Sequence, residues 1–385
     1  MTKIAIIGGG MVGLSQAIAL ADAGIEVTVI DREDPKTILN TKFDGRTSAI
    51  AWKSYKFLDK IGAWAEMARH GQPINDIRVS DNKSPLFVHF DHSDVGDDPF
   101  GYIIENRHIR AALYKRAKQL KSLKLLAPAE ITNLDLENSA ISLKSGDIIK
   151  YQLLIGADGK NSFVRKTAGI SEFRKSYGQM GIVCTIEHEL PHNGLAHEKF
   201  LPAGPFAVLP MQGNRSSLVW TEPSELAPIY MQMADTEFLA EIEKRCGYLG
   251  KLKLVEGRWC YPLELMHSDK YIKDNMLLIG DAAHSIHPIA GQGVNLGFRD
   301  AELLTDMITE NMKLGLGAAS GKMLEGYENI RKLDNRMMIF ATDTLNRLFS
   351  NSILPIKLAR SWGLGIVNEI PPLKRFFMRQ ASGKT

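Results

Sequence analysis

The amino terminus carries the feature that most constrains the fold of this chain. An apolar run at residues 3–7 is followed by glycines at positions 8, 10 and 13 and then by helix-forming residues. In that context Gly8 permits a tight turn, Gly10 lets a pyrophosphate approach the backbone, and Gly13 lets a helix pack closely on a strand. Asp31, eighteen positions beyond the last glycine, ends a second predicted strand and suits the hydroxyls of an adenosine ribose. Together these residues predict a Rossmann-like unit that binds a dinucleotide.

A second glycine-rich segment spans residues 280–297 and follows an apolar run at residues 276–279. A strand that ends in Gly280-Asp281 can aim its carboxylate at the hydroxyls of a sugar-like chain. At Gly291-Gln292-Gly293 the missing side chains let backbone N–H groups at a helix start meet a polar ring edge. This geometry suits a flavin, with Asp281 at the ribityl or pyrophosphate end and the glycine turn facing the isoalloxazine ring.

A third strand-to-turn segment, residues 153–165, carries Asp158 and Ser162. Taken alone, it is equally consistent with an ordinary turn in which Asp158 or Ser162 caps a helix. Its position between the two glycine-rich motifs gives it more weight as part of the same site. Both interpretations stay open from the sequence.

The three motifs, in this order and at these separations, resemble those of the flavin-dependent aromatic hydroxylases with the para-hydroxybenzoate hydroxylase fold. Residues 43–51, 101–106, 203–210 and 363–374 also resemble the ubiquinone-biosynthesis hydroxylases (UbiH-like), and the similarity runs from residue 3 to about 383. In this family the middle motif lies near both FAD and the pyridine nucleotide. The resemblance therefore implies FAD as the cofactor.

Carried over to this sequence, the resemblance implies that Arg46 and Arg110 lie along the FAD and that Pro288, with the neighbouring glycines, stands by the isoalloxazine. For Arg110 an alternative is ordinary surface charge. The complete set of predicted FAD-binding residues is Gly8, Gly10, Gly13, Asp31, Arg46, Arg110, Asp158, Gly280, Asp281, Pro288, Gly291, Gln292, Gly293 and Asn295.

Motifs at both ends of the chain predict a discontinuous FAD-binding domain. We expect an α/β fold: a Rossmann-like FAD-binding domain, a mostly antiparallel β-sheet substrate domain and a C-terminal helical segment. The strand-like alternation at residues 181–186 and 217–221 assigns the antiparallel sheet to the middle of the chain. The predicted boundaries are 1–72, 98–168 and 270–338 for the FAD-binding domain, 73–97 and 169–269 for the substrate domain, and 339–385 for the C-terminal helices.

The resemblance implies chemistry led by the flavin. Reduced FAD would react with oxygen to give a C4a-hydroperoxide that transfers an electrophilic hydroxyl to an electron-rich aromatic ring. No side chain stands out as a general base, so no catalytic residue is predicted with certainty, and His284 and Pro288 are pocket candidates. A metal held by His284 and His287 is disfavoured because no third ligand is apparent. Further pocket candidates, for each of which plain core is the more common role, are Tyr177, Phe206, Leu209, Trp220 and Tyr261.

Composition limits the compartment and the partners. Of the 385 residues, 44% are hydrophobic and 24% charged, as in globular proteins, and a net charge of +3 is too small to imply nucleic-acid binding. Three cysteines without metal-like spacing indicate a reducing compartment. A strand that begins at residue 3 leaves no space for a targeting peptide, and no run of eighteen apolar residues predicts a membrane span. We expect a cytoplasmic protein.

The carboxyl-terminal tail, residues 351–385, carries six basic residues and one acidic residue, a net charge of +5 against −2 for the rest of the chain. Interleaved with apolar residues, these charges suit peripheral contact with the anionic surface of the inner membrane. The alternative is an amphipathic helix packed on the FAD-binding domain. Because a polyprenylated phenol is poorly soluble in water, a substrate of that kind would itself require access to the membrane.

Three functions compete. The first is an FAD monooxygenase that hydroxylates a polyprenylated phenol in ubiquinone biosynthesis, with molecular oxygen, NAD(P)H or a ferredoxin-type donor, and other ubiquinone-biosynthesis proteins as partners. The second is a hydroxylase of a soluble phenol or a related prenyl reductase. The third is a non-catalytic flavoprotein that organises a quinone-biosynthesis complex. The basic, apolar tail favours the first over the second, and the intact loop at residues 280–297 favours an enzyme over a scaffold.

Overall fold

The computed structural model describes residues 3–39, 45–81, 86–286 and 292–349, together with Ile370, Pro372, Lys374, Arg375 and Met378. Its strands are β1 (Lys3–Ile7), β2 (Glu26–Ile30), β3 (Thr47–Ala51), β4 (Gln72–Ile74), β5 (Asp76–Asp81), β6 (Phe87–Asp91), β7 (Gly101–Glu105), β8 (Leu123–Leu126), β9 (Ile131–Asp135), β10 (Ala140–Leu143), β11 (Ile148–Lys150), β12 (Leu153–Gly156), β13 (Glu172–His188), β14 (Leu195–Leu201), β15 (Gly204–Met211), β16 (Arg215–Pro223), β17 (Leu252–Ser268), β18 (Ile272–Lys273), β19 (Met276–Leu278) and β20 (His284–Ser285). Its α-helices are α1 (Met11–Asp22), α2 (Pro35–Leu39), α3 (Trp52–Lys60), α4 (Trp64–Met67), α5 (Asn106–Ala117), α6 (Phe163–Thr167), α7 (Ala227–Gln232), α8 (Asp235–Cys246), α9 (Gln292–Lys313) and α10 (Gly321–Phe349).

The first sheet is mostly parallel and has the strand order β18-β19-β12-β1-β2-β8. Its central strands are almost entirely apolar, and Ile6, Leu154 and Leu277 are fully buried. Continuous apolar runs of this kind are typical of parallel strands that are covered by helices. Helix α1 follows β1 and packs against α9, where the Gln16 amide donates to the Thr305 hydroxyl at 2.8 Å. The Rossmann-like domain predicted from the sequence is confirmed.

The second sheet has eight strands in the order β20-β17-β13-β16-β15-β14-β5-β6, and only β14 with β5 is a parallel pair. Helices α7 and α8 cover one of its faces, which we call the outer face, and Phe206, Trp220 and Phe238 pack together there. The predicted antiparallel sheet is therefore confirmed. Its edge strand β20 comes from a segment that the sequence assigned to the FAD-binding domain, and the domain boundaries themselves stay a prediction.

A three-stranded sheet, β3-β7-β4, joins the two large sheets. The Thr47 hydroxyl at the start of β3 donates to the Ser217 hydroxyl of β16 at 2.9 Å. Ile103 of β7 belongs to a buried apolar cluster with Met211 of β15, against which Leu209 also packs. These contacts place the inner face of the eight-stranded sheet, opposite α7 and α8, against the β3-β7-β4 sheet.

The carboxyl-terminal region begins with α10, which passes the predicted boundary at residue 339 without a break. Beyond it, Met378 is fully buried in the cluster that contains Ile103 and Met211. The Lys374 ammonium pairs with the Asp94 carboxylate at 2.8 Å. At these positions the tail packs on the protein, which is one of the two interpretations that the sequence left open. The contact is with strands β4 and β7. Among the described residues, no helix is both long enough and apolar enough to cross a membrane.

Candidate functional site

The turn between β1 and α1 is built by close backbone packing. Gly8 has a φ of +108°, and a Cβ atom there would lie 2.3 Å from the carbonyl oxygen of Ala157 at the end of β12. A Cβ on Gly13 would lie 2.0 Å from the Gly8 carbonyl oxygen. A Cβ on Gly10 would meet nothing within 4 Å, so the backbone at the start of α1 stays accessible. Accessible N–H groups at a helix start are suited to a pyrophosphate.

Asp31 closes the same turn from the end of β2. Its carboxylate accepts hydrogen bonds from the backbone N–H of Gly9 and, at 2.7 Å, from that of Glu33. Arg110 of α5 pairs with the Glu33 carboxylate and keeps about a fifth of its side chain exposed. Arg110 thus lies at the same end of the sheet as Asp31, which is consistent with the predicted adenosine end of the site. Direct contacts of both residues with FAD stay predictions.

The third motif resolves into a helix cap. The Asp158 carboxylate accepts hydrogen bonds from the backbone N–H groups of Phe163 and Val164 at 2.6 and 3.1 Å and from the Ser162 hydroxyl. The Ser162 hydroxyl oxygen in turn accepts from the Arg165 N–H at 2.9 Å. Both residues therefore cap α6, and the capping interpretation describes this segment. An additional contact between Asp158 and FAD stays a prediction.

Asp281 follows β19 and is the most accessible acid of the site. Asp281 is exposed to solvent on one side. Protein atoms surround it on the other sides, and this partial loss of hydration raises the pKa of its carboxyl. Within the described residues it makes no hydrogen bond or ion pair. A carboxylate held against the protein without a partner is suited to accept hydrogen bonds from ligand hydroxyls, such as those of a ribityl chain.

Gly280, next to Asp281, is held by a buried ionic network in which Asp300 is central. The Asp300 carboxylate accepts hydrogen bonds from the Gly280 N–H at 2.8 Å, from His284 Nε2 at 2.6 Å and from Arg331 Nε at 2.6 Å. Asp300 is fully buried and Arg331 is 4% exposed. Burial by itself raises the pKa of Asp300, but His284 and Arg331 outweigh this and hold it below its usual value.

The network corrects the proposed role of His284 as a pocket residue. His284 is 2% exposed, and one of its ring nitrogens is committed to Asp300. Because it lies on the short edge strand β20, its ring points into the protein and positions the loop after β19. The other pocket candidate, Pro288, lies outside the described residues, as does Gly291.

Helix α9 begins at Gln292, so Gln292 and Gly293 lie in its first turn, as the sequence predicted for a turn that meets a ring edge. A Cβ on Gly293 would meet nothing within 4 Å. Asn295 is 1% exposed, and its side-chain amide bonds to Ala49 O at 2.7 Å and Ala51 N at 2.9 Å. Asn295 therefore ties α9 to β3, and a direct contact with FAD stays a prediction.

Of the five further residues that the sequence offered as candidates to line the pocket, two belong to the core. Phe206 and Trp220 are each 1% exposed and lie on the outer face of the sheet beneath α8. Leu209 packs against the cluster on the inner face, and Tyr261 pairs with Gly181 of β13. Tyr177 packs against α10 near Leu265, with the Lys175 ammonium 5.0 Å from its ring centre. The alternation of residues along the strands predicts that the sheet has two different faces. Only the position of α7 and α8 in the structure shows which face these helices cover.

Contacts around Arg46 were not predictable from the sequence. Arg46 is an exposed residue, and its carbonyl oxygen accepts from the Asn106 N–H at 3.0 Å. The preceding Gly45 has a φ of +74°, and a Cβ there would lie 2.1 Å from the ring of Trp259. Trp259 of β17 therefore packs directly on the backbone beside the first domain. This contact fixes the inner face of the eight-stranded sheet relative to the predicted cofactor site.

Comparisons with known proteins agree with this geometry. A family profile described as an FAD binding domain matches residues 1–340. The chain is 47% identical to ubiquinone hydroxylase UbiL of Rhodospirillum rubrum, over 100% of this chain and 90% of that protein. It is 34% identical to the 3-demethoxyubiquinol 3-hydroxylase of Escherichia coli, over 99% and 98% of the two chains. The structure of p-nitrophenol 4-monooxygenase PnpA from Pseudomonas putida matches with a TM-score of 0.81 and 17% identity, over 99% and 98% of the two chains.

The residues present also fit FAD on structural grounds. The accessible backbone at Gly10, the acid at the end of β2 and the carboxylate of Asp281, which has no partner among the described residues, are chemically suited to the phosphate, ribose and ribityl groups of a dinucleotide flavin. The match to the flavin-binding profile covers most of the chain, and the identity to ubiquinone hydroxylases extends over its whole length. The chain therefore belongs to the ubiquinone-hydroxylase family of FAD-dependent monooxygenases.

Proposed function

We propose that this protein hydroxylates the aromatic ring of a polyprenylated phenol in ubiquinone biosynthesis. The single observation that supports this substrate best is the 47% identity, over the whole chain, to a protein named ubiquinone hydroxylase. Bound FAD, once reduced, supplies with molecular oxygen an electrophilic hydroxyl group for the ring. NAD(P)H or a ferredoxin-type protein is the proposed electron donor, and other ubiquinone-biosynthesis proteins are proposed partners.

Within this function the chain holds and orients the cofactor. The accessible N–H groups at the start of α1 would hold the pyrophosphate, and the Asp281 carboxylate would accept hydrogen bonds from the ribityl or pyrophosphate end. The amino-terminal end of α9 would stabilise negative charge at the edge of the flavin ring, by about 1 kcal/mol or more. The apolar contacts between the inner sheet face and β7 would limit the access of water to the reacting atoms.

Analysis of quinone precursors in a deletion strain would test this proposal most directly. We expect the strain to accumulate a precursor that lacks one or more ring hydroxyls, and purified protein to form the hydroxylated product only with oxygen and a reductant. Unchanged quinones without such a precursor would exclude the proposed substrate. Product formation on water-soluble phenols alone would favour a soluble-phenol hydroxylase, and a protein that binds FAD but forms no product would favour a scaffold.

Replacement of Asp281 by alanine is expected to weaken FAD binding about 10- to 100-fold, since a charge-assisted hydrogen bond contributes about 1.5–3 kcal/mol. Flavin bound per protein, measured from its visible absorbance after gel filtration, would report the loss. Asp147→Ala, which changes an exposed acid in the turn after β10, is the control. Stoichiometric yellow cofactor in the Asp281→Ala protein would show that the assigned contact is wrong.

We further propose that the protein binds peripherally to the cytoplasmic surface of the inner membrane. Support comes from the net charge of +5 in residues 351–385. Truncation after residue 350 would also remove Met378, which is buried, so charge removal is the cleaner change. Replacing Lys357, Arg360 and Arg379 by glutamine is expected to weaken binding to anionic vesicles by a factor that shrinks as salt is raised. Equal sedimentation of both proteins with such vesicles would contradict the membrane proposal.

A further inference from the structure

A row of side chains crosses the inner face of the eight-stranded sheet and contains one ionisable group. Direct strand pairs define the row, which consists of Trp259, Val183, Val219, Ala207, Glu198 and Val79. Apart from Glu198 every member is apolar. A carboxylate within such a row is unusual, because an acidic side chain normally faces water or a partner when it lies in a sheet interior.

The register shows which way this row points. Leu218, Trp220 and Phe206 pack beneath α8 on the outer face. Val219 and Ala207 alternate with these residues along the same strands, so they and Glu198 point to the inner face. Trp259, at one end of the row, packs on the backbone of Gly45. The row therefore runs from the predicted cofactor site across the sheet to Glu198.

Glu198 has no partner among the described residues. No hydrogen bond or ion pair engages its carboxylate there, and burial alone raises its pKa to about 7. The neighbouring His197 and Lys199 point to the outer face, where His197 contacts the Ser80 hydroxyl at 2.9 Å. On the inner face the nearest acid by register is Asp81, which is 1% exposed. It lies two residues after Val79, the strand partner of Glu198.

Other buried acids of this chain differ from Glu198. Glu222 accepts a hydrogen bond from the Trp220 ring N–H at 2.7 Å, and Glu105 pairs with Arg107 at 2.7 Å. Glu198, its row neighbour Val79 and, two positions along the row, Val219 are only half-buried, although they lie on interior strands of the sheet. Ala207, between Glu198 and Val219, is 7% exposed. Solvent-accessible space therefore remains over this part of the inner face, and the carboxylate opens onto it.

We propose that Glu198 accepts the hydrogen bond, and then the proton, of the phenolic hydroxyl of the substrate. An apolar row that leads from the cofactor site to a single acceptor would let the ring lie flat on Val219 and Ala207 while its hydroxyl is held by Glu198. This assignment rests on the proposed function, because it requires a phenol as the substrate. It gives the chain a catalytic base that its sequence did not reveal.

The proton and electron balance of the step is complete. As the ring carbon beside the phenol forms a bond to the transferred hydroxyl oxygen, the bond between that oxygen and the second atom of molecular oxygen breaks. The electron pair of that bond leaves with the second oxygen atom, so the ring is oxidised by two electrons and the O–O bond is reduced. The phenolic O–H bond breaks, its electron pair forms the carbonyl of a dienone, and the proton moves to the Glu198 carboxylate. When the C–H proton leaves to water, the ring becomes aromatic again and the carbonyl oxygen takes back the proton from Glu198.

The test compares Glu198→Gln with the wild type on two substrates, a phenol with a short prenyl chain and its more acidic ring-fluorinated analogue. Glutamine keeps the shape of the side chain but cannot take a proton, so product formation on the parent phenol is expected to fall about 100-fold. The loss is expected to be smaller on the fluorinated phenol, which ionises without help. The wild-type rate is expected to rise with pH through about 7, and the variant is expected to lose this rise.

Glu187→Gln, at an exposed position of β13 beside Lys253, is the matched control and is expected to react like the wild type. Bound FAD per protein shows that each variant is folded, and Glu198→Asp provides a second variant if the glutamine protein does not bind FAD. An equal rate, or an equal loss on both phenols, would overturn the role of Glu198 while leaving the proposed function intact. Failure of the wild type to hydroxylate either phenol would overturn both.

Discussion

Replacing Asp300 with alanine is expected to lower the free energy of unfolding by about 3–5 kcal/mol at neutral pH. The substitution removes the carboxylate but leaves Arg331 buried without its main counter-charge. It also leaves the Gly280 N–H and the His284 ring without the acceptor that lies 2.8 and 2.6 Å away, respectively. Unpaired buried groups of this kind cost far more than the net gain of a paired hydrogen bond.

The same substitution is expected to weaken FAD binding, because the network holds the loop that carries Asp281. Arg331 joins α10 to the network, and its guanidinium also pairs with Asp334. Urea unfolding and the flavin content of the purified protein would measure the two effects. Asp306→Ala, an exposed acid on the same helix that pairs with Lys60 at 3.3 Å, is the control, with an expected change below about 1 kcal/mol. A change of similar size in both variants would contradict the central role of Asp300.

The pH dependence follows from the same contacts. Because the pKa of Asp300 is held below its usual value in the folded protein, its contribution to stability is complete above the pKa of the unfolded chain. That contribution is lost as the pH falls through the lowered folded value. The wild type is therefore expected to lose its advantage over Asp300→Ala in acid. A difference between the two proteins that stays constant down to strongly acidic pH would contradict this linkage.

Local sequence patterns sufficed for the parts of the site that depend on local backbone geometry. The turn at Gly8 and Gly13 needs residues without a Cβ for steric reasons that act within one βαβ unit, so the motif could be interpreted without the rest of the fold. The start of α9 at Gln292 likewise agrees with the helix start predicted from the glycine-rich sequence at this point. Such features are specified within about thirty residues.

The remaining parts of the site depend on contacts between distant segments. Arg299 and Asp300 are adjacent on α9, and no local pattern shows which of them faces the loop at Gly280 or meets Arg331. Trp220 and Leu209 both fit a strand, yet only the position of α8 decides that Trp220 is core. Glu198, between His197 and Lys199, has the sequence of a solvated strand. The row that contains Glu198 becomes visible only when six strands are in register.

Glu198→Gln is expected to have the opposite effect on stability from most substitutions of buried residues. A carboxyl group whose pKa rises from 4.5 to about 7 on folding penalises the folded protein by as much as about 3 kcal/mol once it is ionised. The folded protein binds this proton more tightly than the unfolded chain does. The contribution of Glu198 to stability therefore falls as the pH rises from about 4.5 to 7 and stays low above that range.

Glutamine does not ionise, so the stability of the variant does not show this decrease between pH 4.5 and 7. Its amide also lacks a partner, which adds a cost of about 1–3 kcal/mol that does not change with pH. The informative quantity is therefore how the stability difference between variant and wild type changes from pH 5 to pH 8, measured by urea unfolding. We expect that difference to shift in favour of the variant by about 2 kcal/mol or more, while Glu187→Gln gives the same small difference at both pH values. A structural acid would give the reverse sign, since its ionised form would be the one that stabilises the fold. A variant that gains stability at pH 8 and loses hydroxylation would identify Glu198 as a group kept for chemistry at the expense of stability.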